Sequence, residues 1–158
     1  MSKRIIENRT FDEERALYCE KDLVVRNCRF DGPADGESAL KECERVAVEG
    51  SFMNLRYPFW HDRGLALRDV EMTELCRAAL WYCRGLSLVN CRMEGCDLAF
   101  ERSHVTASIT TPVLSVKNPL AGSRIELPAV GEVIRDVEGA TGVVEVTDGE
   151  GASVRASA

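Results

Sequence analysis

The residues with chemistry to offer lie mostly between positions 31 and 97. Asp35, Glu37, Glu74 and Arg77 are of the types that a carbohydrate-active enzyme uses. Two carboxylates flanking a scissile bond hydrolyse glycosides. An acid cluster with an arginine suits calcium-assisted β-elimination on a uronate. Asp31, Arg56 and Asp97 border the same region, but no motif defines either reaction, and a solvated, salt-bridged rim accounts for the charges equally well. A second group is aromatic: Tyr57, Trp60, His61 and Trp81. Trp60 and Trp81 occupy one phrase used twice, Phe59-Trp60-His61-Asp62-Arg63-Gly64-Leu65 and Leu80-Trp81-Tyr82-Cys83-Arg84-Gly85-Leu86, offset by 21 residues. If the pair is exposed and stacked, it offers a platform for a sugar ring or another flat ligand. A loop, the C-terminal tail or a second copy of the chain, giving a homo-oligomer through the aromatic face, would cover it instead.

Metal and cofactor chemistry find little support. Asp31-Gly-Pro-Ala-Asp-Gly-Glu37 has a loose likeness to a calcium loop, but it lacks the alternating ligands and the distal bidentate glutamate. The 7 cysteines contain no C-x2-C pair and are joined by only 2 histidines. They read as reduced, buried thiols packed as small hydrophobes, with Cys28 and Cys91 in the core. No metal and no cofactor is expected.

A repeat of about 20 residues must position these groups. Its anchors are Leu23, Val46, Leu65, Leu86 and Val105. Two residues on come Val25, Val48, Leu67, Leu88 and Ala107, the period of a strand. Four past the anchor stand Asn27, Gly50, Asp69 and Asn90, the types that tolerate a left-handed backbone. A second strand carries Cys28, Ser51, Val70 and Cys91, then Phe30, Met53, Met72 and Met93. A third carries Leu17, Leu40, Phe59, Leu80 and Ala99. Alternation points the neighbours of this last set outward: Tyr18, Lys41, Trp60, Trp81 and Phe100. Asp22, Arg45, Gly64, Gly85 and His104 precede the anchors as turn residues, with Arg45 a poor fit.

Three short strands per coil describe a right-handed parallel β-helix, all-β, of about five coils. Residues 1–136 form the helix with its caps, at 1–15 and 108–136. Residues 137–158 form a Gly-, Ala- and Ser-rich tail, in which Val143-Val-Glu-Val146 reads equally as one more strand or as mobile chain.

The chain has 158 residues and a net charge of −6. That balance argues against nucleic acid or an anionic membrane as partner. The start, Met1-Ser-Lys-Arg-Ile-Ile-Glu-Asn, lacks the apolar run of a signal peptide, and no segment is long and apolar enough to span a bilayer. A cytoplasmic location is expected.

Longer phrases carry a resemblance. Glu14-Arg-Ala-Leu-Tyr18, Phe30-Asp-Gly-Pro-Ala-Asp-Gly-Glu-Ser-Ala-Leu-Lys41, Asn54-Leu-Arg-Tyr-Pro-Phe-Trp-His61, Glu71-Met-Thr-Glu-Leu-Cys-Arg-Ala-Ala-Leu-Trp-Tyr82 and Ser115-Val-Lys-Asn-Pro119 resemble the bacterial domain of unknown function 3737 family. The resemblance implies a right-handed parallel β-helix similar in fold to pectate lyases, and it implies no activity. The phrase ending at Tyr82 leads almost directly into the closing coils, so the chain looks like a short member with its middle coils missing. The leading expectation is a binding or scaffold module with an aromatic patch. The alternative is a glycoside hydrolase or polysaccharide lyase acting on an oligosaccharide.

Overall fold

The structure is a computed structural model, and it describes residues 4–32, 37–147 and the backbone of 153–155. Among these residues there is no helix. The chain winds as a parallel β-solenoid, and its longest face is a sheet of nine strands. One inward ladder runs through that face: Ile6, Val25, Val48, Leu67, Leu88, Ala107, Ile125 and Val144, each paired in parallel register with the next. From Val25 to Val144 the ladder is buried. The ninth strand, Ser153–Arg155, pairs antiparallel with Val143–Thr147.

The solenoid therefore makes about seven turns among the described residues, not the five expected. The face has eight parallel rungs, three more than the five anchors expected, and the extra ones lie at the ends. Arg4–Glu7 is the first rung, in the segment expected as a cap, and Arg124–Leu127 and Val143–Thr147 are the last two. Their anchor positions hold Arg4, Ser123 and Gly142 in place of Leu or Val, so the apolar period loses its mark there.

The second face holds Thr10–Phe11, Arg29–Asp31, Phe52–Asn54 and Glu71–Met72. Its ladder is Phe11, Phe30, Met53 and Met72, all buried. The third face begins with Leu40–Lys41 and Phe59–Trp60, continues through the bridges Trp60 to Trp81 and Ala99 to Val116, and ends in Val113–Lys117 with Val130–Ile134. Leu17, Leu40, Phe59, Leu80, Ala99, Val116 and Val133 point inward from it.

Left-handed residues make the corners. Asn8, Asn27, Gly50, Asp69 and Asn90 have φ between +51° and +59°. The steric reading of that offset is thus borne out, with one more member. Three further columns turn the same way. They are Arg15, Ser38, Tyr57, Ala78 and Leu98; Cys19, Glu42, His61 and Tyr82; and Asp22, Arg45, Gly64 and Gly85. Arg45, the poor fit by residue type, is left-handed at φ +54°, whereas His104 is not among the left-handed residues.

Polar satisfaction inside the corners explains the cysteines. A backbone N–H turned inward at a bend needs an acceptor. Cys28 N–H donates to Ser51 Oγ at 3.1 Å, Cys83 N–H to Ser103 Oγ at 3.0 Å, and Met93 N–H to Thr111 Oγ1 at 2.7 Å. Thiols fill equivalent places: the Val70 N–H serves Cys91, and the Asp62 N–H serves Cys83. All seven cysteines are free, six are buried, and Cys19 is exposed. Burial raises Cys43 to about 12 and Cys76 and Cys91 to about 11.

No helix among the described residues is long and apolar enough to cross a membrane.

Candidate functional site

The aromatic residues of the repeated phrase assemble on the outside of the third face, because the strand Phe59–Trp60 buries Phe59 and turns Trp60 out. The next coil repeats the arrangement with Leu80 and Trp81. The two indoles stack, with ring centroids 5.1 Å apart and planes 12° apart. Trp60 Nε1 donates to Ala78 O at 2.7 Å, and Trp81 Nε1 donates to Leu98 O. Both indole N–H groups are thus spent on the backbone, and each ring covers one face of the other. Ring edges, which carry the positive end of the quadrupole, are what the pair presents outward.

A second stack stands beside the first. His61 and Tyr82 occupy one left-handed column, with ring centroids 5.0 Å apart and planes 14° apart. Tyr57 leans on Trp60 at 5.1 Å and 59°. Tyr57, Trp60, Trp81 and Tyr82 are half-buried and His61 is exposed. The expected cluster of Tyr57, Trp60, His61 and Trp81 is therefore one continuous patch, and Tyr82 belongs to it. The signal for Tyr82 was available: it stands to His61 as Trp81 stands to Trp60.

Charges frame the patch. Lys117 Nζ lies 5.6 Å from the centre of the Trp81 ring and 3.8 Å from Glu101 Oε2. Glu101 is buried and also accepts from Asn118 Nδ2 at 2.9 Å. Lys41 is in register with Trp60 on the other side. Phe100 does not extend the outward column as alternation predicts. It is fully buried, at φ +73°, between left-handed Leu98 and Arg102. Its own left-handed backbone, which Trp60 and Trp81 do not share, breaks the period of two and goes with a ring turned into the core. The place beside Trp81 is then open for Lys117 from the following coil.

Of the expected catalytic residues that the structure describes, Glu37 and Arg77 border one corner and Glu74 lies apart from them. Asp35 lies outside the described residues. Glu37 pairs with Arg56 at 3.1 Å, and Arg77 pairs with Asp97 at 3.8 Å, in one charged corner beside Tyr57. Arg56 also lies over the Tyr57 ring at 5.7 Å. Glu74 belongs elsewhere, in a shallow groove with Glu71, Thr73, Arg92 and Gly95. Glu37 and Glu74 sit two coils apart, which separates them by about 9–10 Å along the axis alone. Among the described residues no three His, Cys, Asp or Glu side chains gather closely enough to hold a metal ion.

A second acidic residue, besides Glu101, is buried at the patch. Asp62 is fully enclosed; its Oδ1 accepts the Cys43 N–H at 2.7 Å and its Oδ2 has no partner. Desolvation pushes its carboxyl up to about 8, against the Cys43 N–H, which favours the charged form. The repeated phrase held the clue, since Asp62 takes the position of Cys83.

Comparison with known proteins adds a family. The model described as "Protein of unknown function (DUF3737)" matches residues 4–88 and 82–142, two segments that overlap at the repeated phrase. No curated protein and no solved structure matches.

Proposed function

The chain belongs to the DUF3737 family of proteins of unknown function, and on that premise we propose that it is a β-solenoid binding module, with the double aromatic stack as its recognition surface and an oligosaccharide as its ligand. The observation that carries this reading is the pairing of Trp60 with Trp81 beside His61 with Tyr82, partly exposed on one face. Rigid rings present apolar area at little cost in side-chain entropy. Their positive edges meet hydroxyl oxygens well, and Tyr57 offers a tilted face to a sugar's C–H groups. Arg56, Arg77 and Lys117 at the margin supply donors.

A binding role fits the carboxylates better than hydrolysis does. Glu37 is held by Arg56, and Glu74 is two coils away in a separate groove. The wider of the two glycosidase geometries needs its pair about 6.5–9.5 Å apart across an open cleft.

The test is a titration of tryptophan emission with neutral and uronate oligosaccharides, alongside an assay for new reducing ends and unsaturated products. A saturable change that disappears in Trp81→Ala supports the reading. Turnover of any glycan would replace it with the enzyme reading. No response from any glycan, with a dimer that buries the tryptophans in solution, would replace it with self-association.

A further inference from the structure

Asp62 stands in an inward column with Cys43 below it and Cys83 and Ser103 above it. Backbone bonds define the column: Arg63 N–H donates to Cys43 O, Arg84 N–H to Asp62 O, His104 N–H to Cys83 O, and Leu120 N–H to Ser103 O. Each of its side chains does two jobs. It accepts an N–H from the coil below, and it donates to carbonyls of the third-face strands. Cys43 Sγ donates to Leu17 O at 3.2 Å and Lys41 O at 3.7 Å. Cys83 Sγ donates to Trp81 O at 3.3 Å and Phe59 O at 3.9 Å. Ser103 Oγ donates to Leu80 O at 2.7 Å and Glu101 O at 3.3 Å. Thiol and hydroxyl carry the hydrogen this requires. A carboxylate does not, and Asp62 Oδ2 is the one buried side-chain oxygen or nitrogen among the described residues without a partner.

We propose that Asp62 is a proton-operated lock under the aromatic patch: its neutral carboxylic acid donates from Oδ2 to the third-face carbonyls of Leu40 or Trp60, as its column neighbours do to theirs, and loss of that proton loosens the corner that carries Trp60 and His61. The two carbonyls follow from the column register. Leu40 is to Asp62 what Leu17 is to Cys43, and Trp60 is what Lys41 and Trp81 are to the two cysteines.

The groups facing Asp62 offer an anion no compensation. Cys43 and Cys83 are neutral thiols that burial holds protonated. Glu42 adds a like charge, and its own carboxylate is engaged by the Tyr18 hydroxyl. His61 and Arg63, the chain neighbours, are exposed. The Arg84 guanidinium is turned away, onto Cys83 O and Arg102 O at 3.1 and 2.7 Å. An anion at Asp62 is therefore buried and served by the single Cys43 N–H bond.

Unfolded, an aspartate ionises near pH 4; folded, Asp62 does so at about 8. Between those values the folded chain holds a proton that the unfolded chain has lost. The contribution of Asp62 is therefore full below about pH 4 and lost as pH rises to about 8.

The experiment uses the full chain, with Asp62→Ser copying Ser103 and Asp62→Asn as a second neutral form. Melting temperatures are compared from pH 5 to 8.5, with tryptophan emission as a local readout. Wild type should fall relative to Asp62→Ser by on the order of 10 °C across that range, with a parallel change in emission that the variants lack. A carbon-13 carboxyl titration of wild type reads the proton directly and needs no variant to fold. A resonance that titrates between about pH 7 and 9 supports the lock. One that is ionised at pH 6, or pH profiles that coincide in wild type and Asp62→Ser, overturns it.

Discussion

Arg45 grips the carboxylate of Asp22, one coil below, through Nε at 2.6 Å and Nη2 at 3.1 Å, while both residues hold a left-handed backbone at φ +54°. The following members of that column are Gly64 and Gly85. A long side chain thus tolerates a glycine's conformation where a bidentate ion pair holds it in place.

Two substitutions separate the backbone from the ion pair. Arg45→Ala keeps the unfavourable φ and loses the pair, so its melting temperature should drop by several degrees. Arg45→Gly loses the pair but relieves the backbone, and should melt within about 2 °C of wild type. Equal losses in both variants would show that the pair alone matters.

Gly50 offers the converse case. It is left-handed at φ +54°, and a Cβ built there meets nothing within 4 Å. Any cost of a side chain is then backbone strain without a clash. Gly50→Val should lose about 1–3 kcal/mol in urea unfolding. Gly50→Asn should be neutral or slightly stabilising. Asparagine accepts this conformation, and it would fill the gap between the Asn27–Asn8 bond and the Asn90–Asp69 bond of the same column. A Gly50→Asn loss as large as that of valine would contradict the argument.

The thiols predict a count. Native protein should react with one equivalent of a thiol reagent quickly, at Cys19, and with the other six only on unfolding. Burial blocks access to all six, and it also keeps Cys43, Cys76, Cys83, Cys91 and Cys96 protonated at neutral pH. Fast labelling of more than one thiol in the native state would contradict it.

Trp81 is the keystone of the patch, stacked on Trp60, bonded to Leu98 O and covered by Lys117. Trp81→Ala should destabilise by on the order of 2–4 kcal/mol, and it should free Trp60, shifting its emission to the red. Lys117→Ala removes the cation over the ring and also a cation beside buried Glu101, so it should cost more than the roughly 1 kcal/mol of a cation–ring contact alone.

Much of this architecture is legible in the chain. The Leu and Val anchors, the Asn27, Gly50, Asp69 and Asn90 corner, and the Trp60–Trp81 stack all follow from residue type and spacing, because each is repeated. The illegible parts are where the repeat changes its chemistry. Ser123 and Gly142 hold inward anchor places without an apolar mark. Phe100 reads as outward by parity, but its own left-handed backbone voids the parity. Asp62 lies among charged neighbours with no apolar mark of its own, and its alignment with Cys83 is what points to its burial. The candidate carboxylates are scattered among charged loops, where nothing repeats and spacing says little about distance.

Seven turns bonded edge to edge also behave as a stack of layers, each held by the layer on either side. Protection against hydrogen exchange should then form a gradient, lowest in the terminal rungs and highest in the middle. Trp60 and Trp81 lie in the third and fourth of the seven turns. The aromatic patch therefore occupies the last layers to fray, near the middle of the stack of described rungs.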